Sequence, residues 1–134
     1  MRLFFIGEIM SVITSTRNQQ TNIINQNTAS IVITRSAKVS DGAGGWTTLD
    51  PEVLASQDIR IYSKRVRTLV IDDGGYHSIR VTKGLALHDA NILPKSSTNE
   101  DKFTHDSKSW RVFDVINMKI KGSIVFKELE LEQL

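Results

Sequence analysis

The chain has 134 residues, 40% of them hydrophobic, with no cysteine and a formal net charge of +2. That length suits one domain with a modest core, and the lack of cysteine excludes disulfides and thiolate metal sites. The charge, at a sequence pI of about 9.0, is too mild to predict nucleic-acid binding by itself.

The opening run MRLFFIGEIM is apolar but broken early by Glu8. It is too short to span a bilayer, which needs about 20 apolar residues, and no clean cleavage site follows it, so neither a signal peptide nor a membrane partner is expected. Met10 offers an alternative start, which would make residues 1–9 an appendage. Residues 10–27 read as a weak helix, because Ile9, Val12, Ile13, Thr16, Ile23 and Ile24 fall near a 3.6-residue period and Ser11 can serve as N-cap. Its middle, Arg17 to Asn22, is poor in strong helix formers, so this helix needs a partner surface.

Beyond it the pattern changes to short strands. Ile31–Arg35 is rich in β-branched residues. The segment SDGAGGWTTL follows (Ser40–Leu49), read as a long, flexible connection with Trp46 in it. Asp58–Lys64 alternates with period 2, placing Ile59 and Ile61 on one face and Arg60 and Tyr62 on the other. Val66–Ile71 either extends that strand or forms an apolar loop. Asp72-Asp73-Gly74-Gly75 is a turn signal. Ser78–Thr82 alternates again and Leu85–Leu87 continues it. Asp89–Asp101, with Pro94, reads as a loop. Lys102–Thr104 is a very short strand, His105–Lys108 a tight turn, Trp110–Ile116 a strand with Val112 and Phe113 on opposite faces, and Ile124–Leu131 the last strand. The expected fold is mainly β: a small β-barrel with long loops and a short N-terminal helix. Residues 1–27 form an N-terminal extension and residues 28–134 a single β-barrel domain.

The tests for chemistry are negative. A phosphate-binding P-loop needs a lysine after its last glycine, but Trp46 follows Gly45. A dinucleotide fingerprint needs three spaced glycines opening a helix, which Gly42, Gly44 and Gly45 do not supply. His77, His88 and His105 have no metal-ligand spacing. Asp72 and Asp73 lack the acidic residue that an EF-hand loop requires downstream. No Gly-x-Ser-x-Gly elbow occurs. The chain is therefore expected to be no enzyme and to hold no cofactor and no metal. Lys64, Arg65 and Arg67 form one basic cluster, with Arg60 and Arg80 as spatial neighbours. A basic cluster meets phosphates without reading bases, but charge that protects a solvated edge strand is the commoner use. Phe103, Trp110, Phe113 and Phe126 sit at strand positions and read as core. Trp46 instead reads as a contact anchor or a lid on the barrel.

The order of segments carries a resemblance. A strand ending at Arg35 leads to an Asp-Gly-x-Gly-Gly loop with Trp46, then the Ile-Arg-Ile-Tyr strand, a variable loop, LALHDANI, an Asp-Lys-Phe strand, SWRVFDV and a closing strand ending in Glu-Leu-Glu. Over roughly residues 28–133 this resembles the head-closure (head-completion or stopper) proteins of long-tailed bacteriophages, on a diffuse motif match. The strongest pieces are SDGAGGWTTL and DKFTHDSKSWRVFDV, and the helical start is longer than the family's. The resemblance implies a structural virion protein at the phage neck, assembled in the host cytoplasm. It implies a homo-oligomeric ring of about six or twelve subunits, with the portal or adaptor ring above it and tail proteins below. The ring would close the channel after packaging and pass double-stranded DNA without sequence specificity. The segment matching the family's channel loop is about Lys64–Ser78, which gives Lys64, Arg65, Arg67, Asp72, Asp73, Gly74 and Gly75 as the plug loop. Gly42, Gly44, Gly45 and Trp46 are the assembly-contact loop, and the N-terminal helix is expected to gain its partner surface in the ring. Another neck role (adaptor or tail completion) and a small OB-like nucleic-acid-binding barrel are the alternatives. Sparse aromatics argue against the OB-like reading.

Overall fold

The computed structural model describes residues 2–70 and 75–134. A helix, α1 (Arg2–Gln26), precedes nine strands: β1 (Ala29–Ile31), β2 (Thr34–Ser40), β3 (Trp46–Thr48), β4 (Glu52–Val53), β5 (Gln57–Val70), β6 (Gly75–Leu87), β7 (Asn99–His105), β8 (Lys108–Ile120) and β9 (Ser123–Gln133). The protein is mainly β with one N-terminal helix, the class its alternating strands predicted. The helix is not short, however: it spans 25 residues, and Ser11 lies inside it instead of capping it.

The strands run in the order β1-β5-β6-β9-β8-β7-β2-β3, with β4 also on β2, and every pairing is antiparallel. Among the described residues no ladder joins the ends of this order, so the sheet is not hydrogen-bonded into a closed barrel. The reason lies in residues 29–40. A closed barrel would need one strand paired on both edges. Here β1 pairs only β5, β2 pairs β7, and Val32 and Ile33 join the two. Two residues thus carry the chain from one end of the sheet to the other, which obliges the sheet to curl.

Two hairpins owe their tightness to two-residue turns. Asp106 and Ser107 have φ of 51° and 61°, Lys121 and Gly122 of 49° and 84°. Positive φ at both central positions is the type I′ geometry, whose twist matches that of paired strands. The second turn extends β8 to Ile120, past the predicted end at Ile116.

The curled sheet encloses Ile31, Ile33, Ile59, Ala86, Ile92, Phe103, Trp110, Val112 and Leu129. Phe103 and Trp110 are core, as expected. Phe113 is not: it is 52% exposed. Alternation with the buried Trp110 and Val112 puts it on the outer face, and a β-bulge between Val112 and Asp114 breaks the β8–β9 register beside it.

Among these apolar groups lies one buried carboxylate, Asp101. It accepts hydrogen bonds from Arg35 Nε at 2.7 Å, Arg35 Nη2 at 2.9 Å and the Leu93 amide at 2.9 Å. The bidentate pair fixes β2 to β7, and the amide bond pins the loop between β6 and β7. Such a paired, saturated carboxylate tolerates burial. The hydrogen bond to Asp101 also holds the Arg35 guanidinium pKa above its ordinary value.

Helix α1 finds its partner surface within its own chain, on β9, β5 and β6, and not only in an assembly. Ile13 and Ile24 are buried. Arg17 donates from Nε and Nη2 to the Ile124 carbonyl at 3.1 and 2.9 Å. The last turn of α1 has no basic residue of its own. Arg60 of β5 supplies the charge instead, donating to the Ile23 carbonyl at 3.1 Å, where the helix leaves carbonyls unpaired and its dipole favours a cation. Among the described residues, no helix is long and apolar enough to cross a membrane.

Candidate functional site

The longest ladder in the sheet joins β5 to β6, from Ile59↔Ala86 to Val70↔Gly75. Its outer neighbours stop early. Strand β1 covers β5 only over Gln57–Ile59, and β9 covers β6 only over Thr82–Leu87. From Ser63 and Val81 onward the two strands therefore continue as a ribbon with no ladder on either outer edge among the described residues. The expected plug loop lies on this ribbon, and the structure corrects its form. Lys64, Arg65 and Arg67 belong to β5, and Gly75 is the first residue of β6. These are paired strand positions, because Lys64-Arg65-Val66-Arg67 keeps the period-2 alternation that suits a two-faced strand. Asp72, Asp73 and Gly74 lie outside the described residues.

Register gives the ribbon two unlike faces. Ile59 and Ile61 stand opposite Ala86 and Gly84 on the core side, and the same parity leads outward through Ser63↔Thr82 to Arg65↔Arg80. The core face thus becomes a basic face where the sheet ends. Arg65 and Arg80, both exposed, are directly opposite, a like-charge placement that disfavours pairing and favours an anion between them. The other face carries Lys64, Val66, Ile79 and Val81. Together with the bulged Phe113 and Leu131, Val66 and Val81 line a groove of about 520 Å³.

At the ribbon's base, charge is neutralised. Lys83 Nζ lies 3.0 Å from Glu128 Oε1, and this hydrogen bond raises the lysine pKa above its ordinary 10.5. Beside it, burial raises the Tyr62 pKa. Arg111 bridges Glu100 at 3.2 Å and Glu132 at 2.7 Å across β7, β8 and β9.

The expected assembly-contact loop is a compact hairpin turn between Ser40 and Trp46, which are register partners, and not the flexible connection its glycines suggested. Asp41 Oδ1 accepts from the Ala43 and Gly45 amides at 2.8 and 3.0 Å, and the Asp41 amide donates to Gly45 O at 3.2 Å. Gly42 and Gly44 hold φ of 79° and 85°, values that a side chain disfavours. Trp46 is 61% exposed at the start of β3, so it lids nothing in the chain. The structure keeps this turn and the ribbon in separate parts of the fold.

Sequence reasoning passed over Arg35 and Asp101. A signal was present: Asp101 shares strand parity with Phe103, which puts a carboxylate on an inward face. Among the described residues, no group of three or more His, Asp or Glu side chains is placed to hold a metal ion. No protein-family model and no curated protein sequence matches the chain. The ribbon, with its basic face and open edges, is the feature of this fold with the clearest capacity to meet another molecule.

Proposed function

We propose that the protein is a structural component of the neck of a long-tailed phage, forming a ring between the portal or adaptor and the tail. There it closes the DNA channel after packaging and offers the tail its docking surface. The observation that carries this reading is the ribbon. The segment that the resemblance assigns to the channel extends past the sheet as paired strands and bears Lys64, Arg65 and Arg80. Arg65 and Arg80 on one face, and Lys64 on the other, attract phosphates at any sequence, as a protein that retains DNA without reading it requires. A two-stranded ribbon is also stiffer than a loop, which suits an element that must block a path.

Electron microscopy of the purified protein with its portal or tail tests the proposal. A ring coaxial with the portal supports it. A monomer that binds single-stranded DNA tightly with a steep salt dependence overturns it in favour of a nucleic-acid-binding module. Deleting Val66–Gly75 is expected to leave the sheet folded while filled heads lose their DNA. Heads that retain it would remove the plug role from this segment.

A further inference from the structure

Among the described residues several strand edges lack a neighbour, that of β6 from Val81 outward included, and two of them lie on strands far apart in the strand order. One is the outer edge of β5 beyond Ser63, where β1 no longer covers it. The other is the outer edge of β3 and β4, which pair only with β2. Open edges offer unpaired amides and carbonyls to another strand. Their charges are opposite. Residues 60–70 hold Arg60, Lys64, Arg65 and Arg67 and no carboxylate, whereas residues 41–53 hold Asp41, Asp50 and Glu52 and no lysine or arginine. Exposed apolar groups accompany both: Ile79 at 47% beside the first, Trp46 at 61% and Leu49 at 44% on the second.

We infer that the β5 edge of one copy pairs with the β3 edge of the next, with the acidic β4 segment beside the contact, joining the protein to itself head to tail. Pairing like edges would set Lys64 and Arg65 against their own copies, or Asp50 and Glu52 against theirs, and both arrangements repel. Unlike edges attract. A contact between two different surfaces continues from copy to copy and ends only by closing into a ring. Pro51 has no amide hydrogen to give to a ladder, so the acidic edge accepts a partner strand over Trp46–Asp50 and no further. This inference deepens the neck reading by naming the contact within its ring, and it rests on that reading only for where the ring sits.

Sedimentation velocity over a range of protein and salt concentrations tests it. The wild-type protein is expected to associate beyond a dimer, and less so as salt rises. K64E/R65E/R67E makes both edges acidic, and D50K/E52K makes the second edge basic. Each variant alone should associate at least about tenfold more weakly. An equimolar mixture should recover association, because acidic ribbons then meet basic edges in alternation. Asp50→Lys alone repeats the test without touching Glu52, which stands opposite Arg35 in the β2–β4 register, and thermal unfolding checks that each variant is folded. A wild-type protein that stays monomeric at its highest soluble concentration, association that stops at a dimer, or reversals without effect would each overturn the inference. A portal-bound ring indifferent to both reversals would defeat this interface and spare the neck reading. Salt-sensitive oligomers that never dock on a portal would do the opposite.

Discussion

The β5–β6 hairpin is one ladder with two different halves. In the inner half, Ile59 faces Ala86 and Ile61 faces Gly84, with β1 beside Ile59 and β9 beside Gly84 and Ala86. In the outer half the same face carries Arg65 opposite Arg80, with no neighbouring strand. Backbone pairing continues unchanged from one half to the other, so side chains alone decide where the core ends. The inner half contributes stability, and the outer half spends some of it to present charge.

Variants on either side of that boundary should behave differently. The largest effect is expected where charge is inside: Asp101→Ala strands the mostly buried Arg35 and the Leu93 amide, and should cost about 3–5 kcal/mol in denaturant unfolding. A loss under 1 kcal/mol would mean that the pair is solvated in solution. Ile59→Ala removes a fully buried side chain and should cost about 2–5 kcal/mol, measured in the same way. Gly84→Ala should cost about 1–3 kcal/mol by overpacking, since its new methyl would sit 3.2 Å from Leu129 Cδ1.

At the boundary itself, stability should depend on alkaline pH. Lys83 and Tyr62 both have folded pKa values above their ordinary 10.5 and 10.0. The folded state therefore keeps protons that the unfolded chain gives up. Their contribution is present in full below about pH 10 and is lost as pH rises through the folded values. Thermal unfolding should be flat up to that point and fall beyond it. Lys83→Arg, which keeps its charge at every pH in that range, should make the fall shallower. The smallest effect is expected in the outer half. Arg65→Thr should change stability by no more than about 0.5 kcal/mol, and in the stabilising direction, because it removes a like-charge pair. A large loss there would show that the ribbon is part of the core after all.

Much of this division was legible in the sequence. Ile59 and Ile61 alternate with Arg60 and Tyr62, and the core-facing positions followed from that. The continuation through Val66 was ambiguous, because KRVR reads equally as a basic loop and as a strand with charge on one face. The end of β8 was hidden in a different way. Lys121-Gly122 is a weaker turn signal than Asn-Gly, although Ile116, Met118 and Ile120 alternate up to it. The outer face of Phe113 follows from its alternation with Trp110 and Val112, whereas the bulge beside it leaves no local mark, since it arises from the register of two strands. The glycines of SDGAGG suggested freedom, but Asp41 turns them into a fixed bend, which only the geometry of its carboxylate could reveal. The Arg35–Asp101 pair joins residues separated by 66 positions, beyond the reach of any periodicity.

The bond from Arg17 to the Ile124 carbonyl spans 107 positions and has a consequence for the order of events in the cell. Synthesis produces α1 first and β9 last. The helix is made of residues that do not hold a helix well alone, and the β9 part of its partner surface does not exist until the chain is nearly complete. Its final placement must then wait for the end of translation, whatever local structure forms earlier. A chain cut short before Ser123 would keep the contacts of α1 with β5 and β6, and the bond from Arg60 to Ile23, but lose the anchor of Arg17.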